Sequence, residues 1–391
     1  MKNKCNFDKG IDRRNTNCIK WDINHLIFGE KDVLPMWVAD MDFEAPPKVI
    51  EALIDRAKHG AYGYTLHPRS LKEAITDWEF RRHNLKIQSD WISFSPGIVP
   101  AVNFFVDCFT KEGDGIIIQT PVYYPFIYAC DRNNRKLVNN QLIQTKNGYE
   151  INFDQLEDQL SDPDTKMMII SSPHNPVGKV FTADELTKMA EFCADNGVIL
   201  ISDEIHQDII FSGNEHICTS SLSEKIAQNT ITCVAPSKTF NLAGLGFSAL
   251  IIPDEEKRNK FQKYMDAKGI HGSNLFGIIA GEAAYRHGND WLNELLIYLE
   301  GNIDYMENFF KEHLPKIKMQ RPQSTYLAWL NFREYGYSQK ELVDKMVKEA
   351  KLGLNDGSAF GAGGEGFMRL NFACPRSTIE EAMKRMKTVF S

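Results

Sequence analysis

Nowhere in the chain is there a run of about 18 apolar residues, the length a helix needs to cross a bilayer, so no membrane span is expected. Basic charge is in deficit: 45 Lys and Arg stand against 52 Asp and Glu, a formal net charge of -7. That balance supplies no positive field for counterion release from a nucleic-acid backbone, which argues against a nucleic-acid partner. The 8 cysteines form no CxxC pair and no compact framework, and they read as reduced thiols. HExxH and paired-cysteine patterns are missing, and no metal is expected. The N-terminal MKNKCNFDKGIDRR lacks the apolar stretch of a signal peptide, so a cytoplasmic location is expected. No internal repeat or low-complexity linker breaks the chain.

What is present is ordinary globular composition, 43% apolar and 25% charged over 391 residues. That length exceeds what one growing core usually serves, so two domains are expected. Short apolar runs alternate with longer amphipathic ones, the pattern of an α/β fold with a mostly parallel central sheet covered by helices on both faces. Buried strands are predicted at Gly115–Gln119, Met167–Ser171, Val198–Ser202, Thr230–Val234 and Phe247–Ile252. Helices are predicted at Pro47–Lys58, Ser70–Arg82, Ile98–Phe109 and Ala183–Asn196, the last capped by Thr182. After about Ala284 a long helix, Asp290–His313, precedes strand-like segments at Tyr326–Asn331 and Phe367–Phe372 and a last helix. The expected division is a segment 1–45 packing on a small α/β domain, a large domain 46–284, and the small domain 285–391.

Several strand ends carry residues suited to chemistry. VILIS runs into Asp203 and Glu204, at the carboxyl end of a strand, where open α/β sheets bind ligands. MMIIS ends in a turn of proline and glycine that holds Asn175 at the same edge, and TITCV ends in a turn carrying Ser237 and Lys238. Each alone has a plain structural explanation. Together they suit a Schiff-base lysine beside polar partners. Ser95-Pro96-Gly97-Ile98-Val99-Pro100 opens a helix whose free N–H groups suit a phosphate, with Gly97 allowing close approach. The run Gly361–Gly366 is read as a flexible turn before the strand of Arg369 rather than a dinucleotide loop. The Asp203, His206, Asp208 group is read as serving a cofactor, not zinc.

This order of a phosphate turn, an aromatic, an Asn, an Asp and a Lys resembles the fold type I pyridoxal-5'-phosphate (PLP) enzymes. The strings LPMWVADMDF, GYT, PVYYPF, SPHNPVGKV, DEIHQD, APSKTFNLAG and MRLNFACPR resemble the cystathionine β-lyase and cystalysin type of carbon–sulfur lyase within the class I/II aminotransferases. The resemblance implies that PLP is the cofactor, Lys238 its Schiff base, Asp203 the partner of its ring nitrogen, Asn175 a hydrogen-bonder to its hydroxyl and Tyr123 the stacking aromatic. It implies Arg369 and Trp37 at the substrate, with Arg369 on its carboxylate, and Tyr124 near the reacting carbon. Tyr64 would reach the phosphate of the neighbouring subunit's cofactor, which implies a homodimer. The chain departs from the wider aminotransferase pattern twice. Gly246 stands where many relatives place a phosphate-binding Arg, which leaves the phosphate to Ile98, Val99, Ser237 and Tyr64. His206 stands where Tyr is common, and either contacts the cofactor hydroxyl or serves the fold.

A carboxylate about 4 Å from a protonated ring nitrogen stabilises it by roughly 4 kcal/mol at an effective dielectric near 20, about three pKa units, which a neutral Asn cannot do. Loss of a β-thiolate from a small sulfur-containing amino acid gives pyruvate, ammonia and a thiol; without a leaving group, transamination follows. The Lys–Asp pair serves both, and only the subfamily strings favour the lyase. An aminotransferase and a regulatory partner-binding protein on the same fold stay open as alternatives.

Overall fold

Ile116, Ile117 and Ile118 sit side by side in one strand yet enter two different cores, which shows how the sheet is covered. In the computed structural model, which describes residues 5–270 and 272–391, Ile116 and Ile118 pack with Met167, Ile169 and the helix residues Val102, Phe105 and Val106. Ile117 packs with Met168, Ile170, Leu200 and Leu186, Met189 and Ala190 on the opposite face. Alternation along a fully buried strand requires helices on both faces, and the apolar runs supply both sides.

The central sheet has seven strands: β1 (Ile92–Ser95), β2 (Gly115–Ile118), β3 (Lys136–Asn139), β4 (Thr165–Ser171), β5 (Ile199–Asp203), β6 (Thr230–Val234) and β7 (Ser248–Ile251), in the spatial order β1-β7-β6-β5-β4-β2-β3. Its α/β class is the expected one. All five predicted strands are present within two residues, and the helices Pro47–Lys58 and Ile98–Phe109 have the predicted bounds. Thr182 caps Ala183–Asp195 in a full capping box with Glu185.

Two strands escaped prediction, β1 and β3, the outermost of the sheet. β3 (KLVN) is only partly buried and carries polar ends, so its pattern lacks the apolar run that marks an inner strand. β7 runs antiparallel to β6 and β1. The link from Val234 to Ser248 contains only short turns, and without a crossover helix the chain must return in the opposite direction.

A second, antiparallel sheet holds β8 (Lys318–Met319), β9 (Leu327–Asn331), β10 (Asn355–Asp356) and β11 (Phe367–Asn371), in the order β8-β9-β11-β10. Arg369 on β11 pairs with Trp329 and with Asn355 on its two sides. The glycine-rich turn before β11 uses positive φ at Gly361, Gly363 and Gly366. It is packed: a Cβ at Gly364 would stand 1.9 Å from the Gly357 carbonyl oxygen.

The N-terminal stretch joins the two sheets. Leu34–Pro35 pairs with Leu352–Gly353. Beyond it, Asn371 Nδ2 donates to the carbonyls of Val38 and Asp40, and Asn241 Nδ2 donates to those of Met41 (2.9 Å) and Phe43 (3.0 Å). Arg13 and the buried Lys20 pair with Asp42 at 3.0 and 2.7 Å, and Arg13 pairs with Asp40 as well. Among the described residues no helix is long and apolar enough to cross a membrane.

Candidate active site

Three neighbouring parallel strands end level with one another. Ser171 of β4 lies opposite Asp203 of β5, which lies opposite Cys233 of β6. The chain leaving β4 folds back so that the Asn175 N–H donates to the Ser171 hydroxyl at 3.2 Å. The chain leaving β6 enters one helical turn, Pro236–Thr239, that carries Ser237 and Lys238. Because β7 is antiparallel to both its neighbours, β1 runs the same way as β6 and ends at the same edge. There α1 (Ile98–Phe109) begins, with Gly97 as an N-cap that supplies no side-chain acceptor.

These strand ends line one cavity of about 770 Å³, counting its open mouth, a size suited to a small molecule. Gly97, Ile98, Val99, Tyr123, Asn175, Asp203, His206, Ser237 and Lys238 all contribute to its wall. The first amides of α1 have no acceptor within their own helix, and Pro100 has none to offer. A Cβ on Gly97 would meet nothing nearer than Pro100 Cδ at 3.6 Å, so a side chain there would take up cavity space rather than strike the protein.

Burial sets the charge states. Asp203 is pushed up to about 7 by burial, against the opposing pull of the Ile205 N–H (3.1 Å) and the Lys238 ammonium. Lys238 is drawn down to about 8, chiefly by burial and also by Arg369, while Asp40 and Asp203 oppose the fall; its Nζ donates to the Ala39 carbonyl at 2.7 Å. His206 is held near 3 by burial and the cations Lys238 and Arg369, so it is neutral, and its Nδ1 has no partner.

Arg369 stands behind Asn175. It is buried, and it donates to Asn175 Oδ1 (3.0 Å), the Trp37 carbonyl (2.9 Å) and Asn355 Oδ1. Its guanidinium lies 4.9 Å from the centre of the Phe360 ring. Every acceptor is neutral: among the described residues Arg369 forms no ion pair, and its buried Nε has no acceptor. Burial draws its pKa down to about 10. Tyr124, whose ring lies 5.5 Å from that of Tyr123 and 5.8 Å from Phe360, links the aromatic ring of the cavity wall to the one beside this arginine.

Four expected residues are not part of the cavity wall: Arg369 and Tyr124, which adjoin it through Asn175 and Tyr123, and Tyr64 and Trp37. Tyr64 is fully exposed and does not line the cavity of its own chain. The Trp37 indole donates to the Lys20 carbonyl (3.4 Å) and meets Phe28 edge-on, so Trp37 offers Arg369 its carbonyl rather than its ring. Asp208 corrects the sequence reading: it serves no cofactor wall. It accepts from Trp78 Nε1 (3.1 Å) and Thr239 Oγ1 (2.8 Å) and pairs with His83 (2.9 Å), because the turn after Asp203 sends its side chain beneath the sheet edge. Glu204, His216 and Cys218 form a buried cluster there, but Ser202, the Thr219 N–H and His216 already occupy the Glu204 oxygens.

Gly246 explains the missing phosphate-side arginine: its φ is +58°, and a Cβ would come within 3.2 Å of the Pro96 carbonyl oxygen. Sequence reasoning missed Ala39, Asn355 and Tyr326. Ala39 and Trp37 act through backbone carbonyls, which leave no mark in residue type.

Residues 31–386 match the family model "Aminotransferase class I and II". The cystathionine beta-lyase PatB of Bacillus subtilis is 44% identical over 386 residues, covering 99% of this chain and all of the relative. Cystalysin from Treponema denticola, whose crystal structure contains pyridoxal 5'-phosphate, superposes with a TM-score of 0.96 at 38% identity over 98% of each chain. The PLP-bound C-S lyase from Staphylococcus hominis does so with a TM-score of 0.90 at 32% identity, again over 98% of each.

Proposed function

The chain belongs to the class I and II aminotransferase family, and within it we propose that the protein is a PLP-dependent carbon–sulfur β-lyase acting on cystathionine, cysteine or a related S-conjugate. What supports the lyase reading over transamination is identity along the whole chain with a cystathionine beta-lyase. What supports an amino-acid substrate is Arg369, a buried cation with neutral partners and a free Nε. An α-carboxylate would give it both a counter-charge and an acceptor.

The residues present fit the cofactor. The open amides at Ile98 and Val99, with the Ser237 hydroxyl, suit its phosphate. Asp203 suits its ring nitrogen, Asn175 and the unpartnered His206 its hydroxyl, Tyr123 its ring face and Lys238 its aldehyde. A cationic ring nitrogen beside Asp203 would hold that carboxyl ionised, below the value near 7 that burial reaches against the Ile205 N–H and Lys238. When bound, the cofactor supplies an electron sink for the pair left at the α-carbon.

The protein's own part is positional and acid–base. Arg369 orients the substrate through its carboxylate. The Lys238 amine, drawn down to about 8, is half neutral at that pH and increasingly so above it, and in the neutral form takes the α-proton. The carbon–sulfur bond then breaks, its electron pair leaves on sulfur, and the thiolate is protonated. Addition of water to the remaining three-carbon fragment releases pyruvate and ammonia.

Purified protein given cystathionine is expected to release pyruvate with no 2-oxo acid added. Turnover that appears only when a 2-oxo acid is supplied would make it an aminotransferase instead.

A homodimer with shared sites belongs to the same proposal. Tyr64 is fully exposed, and Tyr62 and Leu66 beside it are exposed apolar residues, as a surface covered by a second copy would have. Tyr64→Phe and Lys238→Ala subunits, each inactive alone, should recover about a quarter of parental activity on mixing, from the one intact site in each mixed dimer. No recovery would assign Tyr64 to its own subunit or to none.

A further inference from the structure

The Ala39 carbonyl accepts two hydrogen bonds at once: from Lys238 Nζ at 2.7 Å and from the Tyr326 hydroxyl at 3.0 Å. Tyr326 is buried, and its ring stands 6.1 Å from that of His206, edge to face. Burial, with the charge of Asp40 adding to it, keeps the phenol far from ionising, so it is a permanent donor.

The backbone before Tyr326 is strained to put it there. Thr325, fully buried and β-branched, has φ +65°, a left-handed conformation that such residues avoid. Bonds on both sides hold it. The Thr325 N–H donates to the Ile209 carbonyl (2.9 Å), the Ser324 N–H and hydroxyl both donate to the Gly178 carbonyl (3.1 Å), and the Thr325 hydroxyl accepts from the Leu327 N–H (3.2 Å). Ala39 is pinned from its other neighbours by Asn371, which donates to the carbonyls of Val38 and Asp40.

We propose that Tyr326 is a positioning residue for the acid–base step: by fixing the Ala39 carbonyl, it sets where the free Lys238 amine stands before it takes the α-proton and where the resulting ammonium is received. The proposal rests on Lys238 being the base. The proton balance is simple: the amine gains the α-proton, the ammonium donates to the Ala39 oxygen, and Tyr326 keeps its own proton throughout. While Lys238 is tied to the cofactor its Nζ is engaged there, so Tyr326 bears on the lysine only when the amine is free. The charged and titratable groups around that amine are Asp40, Asp203, Arg369 and His206.

The test is Tyr326→Phe, which removes the hydroxyl and keeps the ring. With cystathionine, kcat should fall about 2- to 12-fold, the loss of one neutral hydrogen bond, while KM changes less than about twofold. The isotope effect on kcat with α-deuterated substrate should rise. The visible absorbance of the bound cofactor and its pH midpoint should stay as in the parent. In protein stripped of cofactor, labelling of Lys238 by trinitrobenzenesulfonate should have its pH midpoint lowered, because the carbonyl that accepts from the ammonium is no longer held in place. An unchanged kcat and labelling midpoint would overturn the proposal, and so would an altered cofactor spectrum, which would mark general damage to the site. If Tyr326→Phe folds poorly, a chain with 3-fluorotyrosine at 326 keeps the donor and should retain parental kcat; loss of turnover there would equally overturn it. Lys238→Ala serves as control. If it is inactive while Tyr326→Phe is normal, only the positioning role falls; if it is active, the function reading falls first.

Discussion

Lys238→Ala is expected to lower turnover by at least about 10⁴-fold and to abolish the yellow colour of the purified protein. A positioned general base alone accounts for roughly 10²- to 10⁴-fold, and this residue also anchors the cofactor covalently in our reading, so both contributions go together. The fold should survive, because Lys238 makes one side-chain hydrogen bond, to the Ala39 carbonyl. Asp203 reports on the change independently. The Lys238 ammonium is one of the influences that lower its pKa, so in the variant without cofactor the carboxyl should titrate above its value near 7. Steady-state pyruvate release and a visible spectrum before and after borohydride reduction check the main outcome. Parental turnover in this variant would remove the central assignment.

Arg369→Ala is expected to raise KM and lower kcat together, with kcat/KM falling by roughly 30- to several-thousand-fold. The range corresponds to about 2–5 kcal/mol for losing one partner of a buried, hydrogen-bonded charge pair. Both constants move because the arginine does two things: it holds the carboxylate and so fixes which bond at the α-carbon faces the electron sink. Arg369→Lys retains the charge but not the planar fork, and should recover KM better than kcat. Kinetics unchanged from the parent in Arg369→Ala would mean that another group holds the carboxylate. The environment makes that outcome hard to reconcile, since Arg369 is buried among neutral acceptors with Nε unused, an arrangement that costs free energy until an anion arrives.

The wall of the cavity was legible to an unusual depth. Asp203, Asn175 and Lys238 could be found because each follows an apolar run that marks a buried parallel strand, and such strands end at a common edge. The register Ser171, Asp203, Cys233 bears this out. Asp208 misled because three acidic or imidazole side chains within six residues look like one site. A turn between them separates Asp203, on the cavity, from Asp208, bonded to Trp78, His83 and Thr239. The direction of β7 was illegible for a related reason: an apolar run reports burial, not the sense in which it pairs.

By itself the sequence determined the class of fold, the family and most of the expected side chains that line the cavity, because strand periodicity and motif spacing are local and survive in one dimension. Only the tertiary structure decided how the N-terminal stretch runs between Asn371 of the second sheet and Asn241 beyond β6, so that the carbonyls of Trp37 and Ala39 meet Arg369 and Lys238, and how a strained Thr325 delivers Tyr326 to the Ala39 oxygen. Those contacts join side-chain donors to backbone carbonyls 199 to 332 residues away. Every residue type carries a carbonyl, so their partners are chosen by packing rather than by composition.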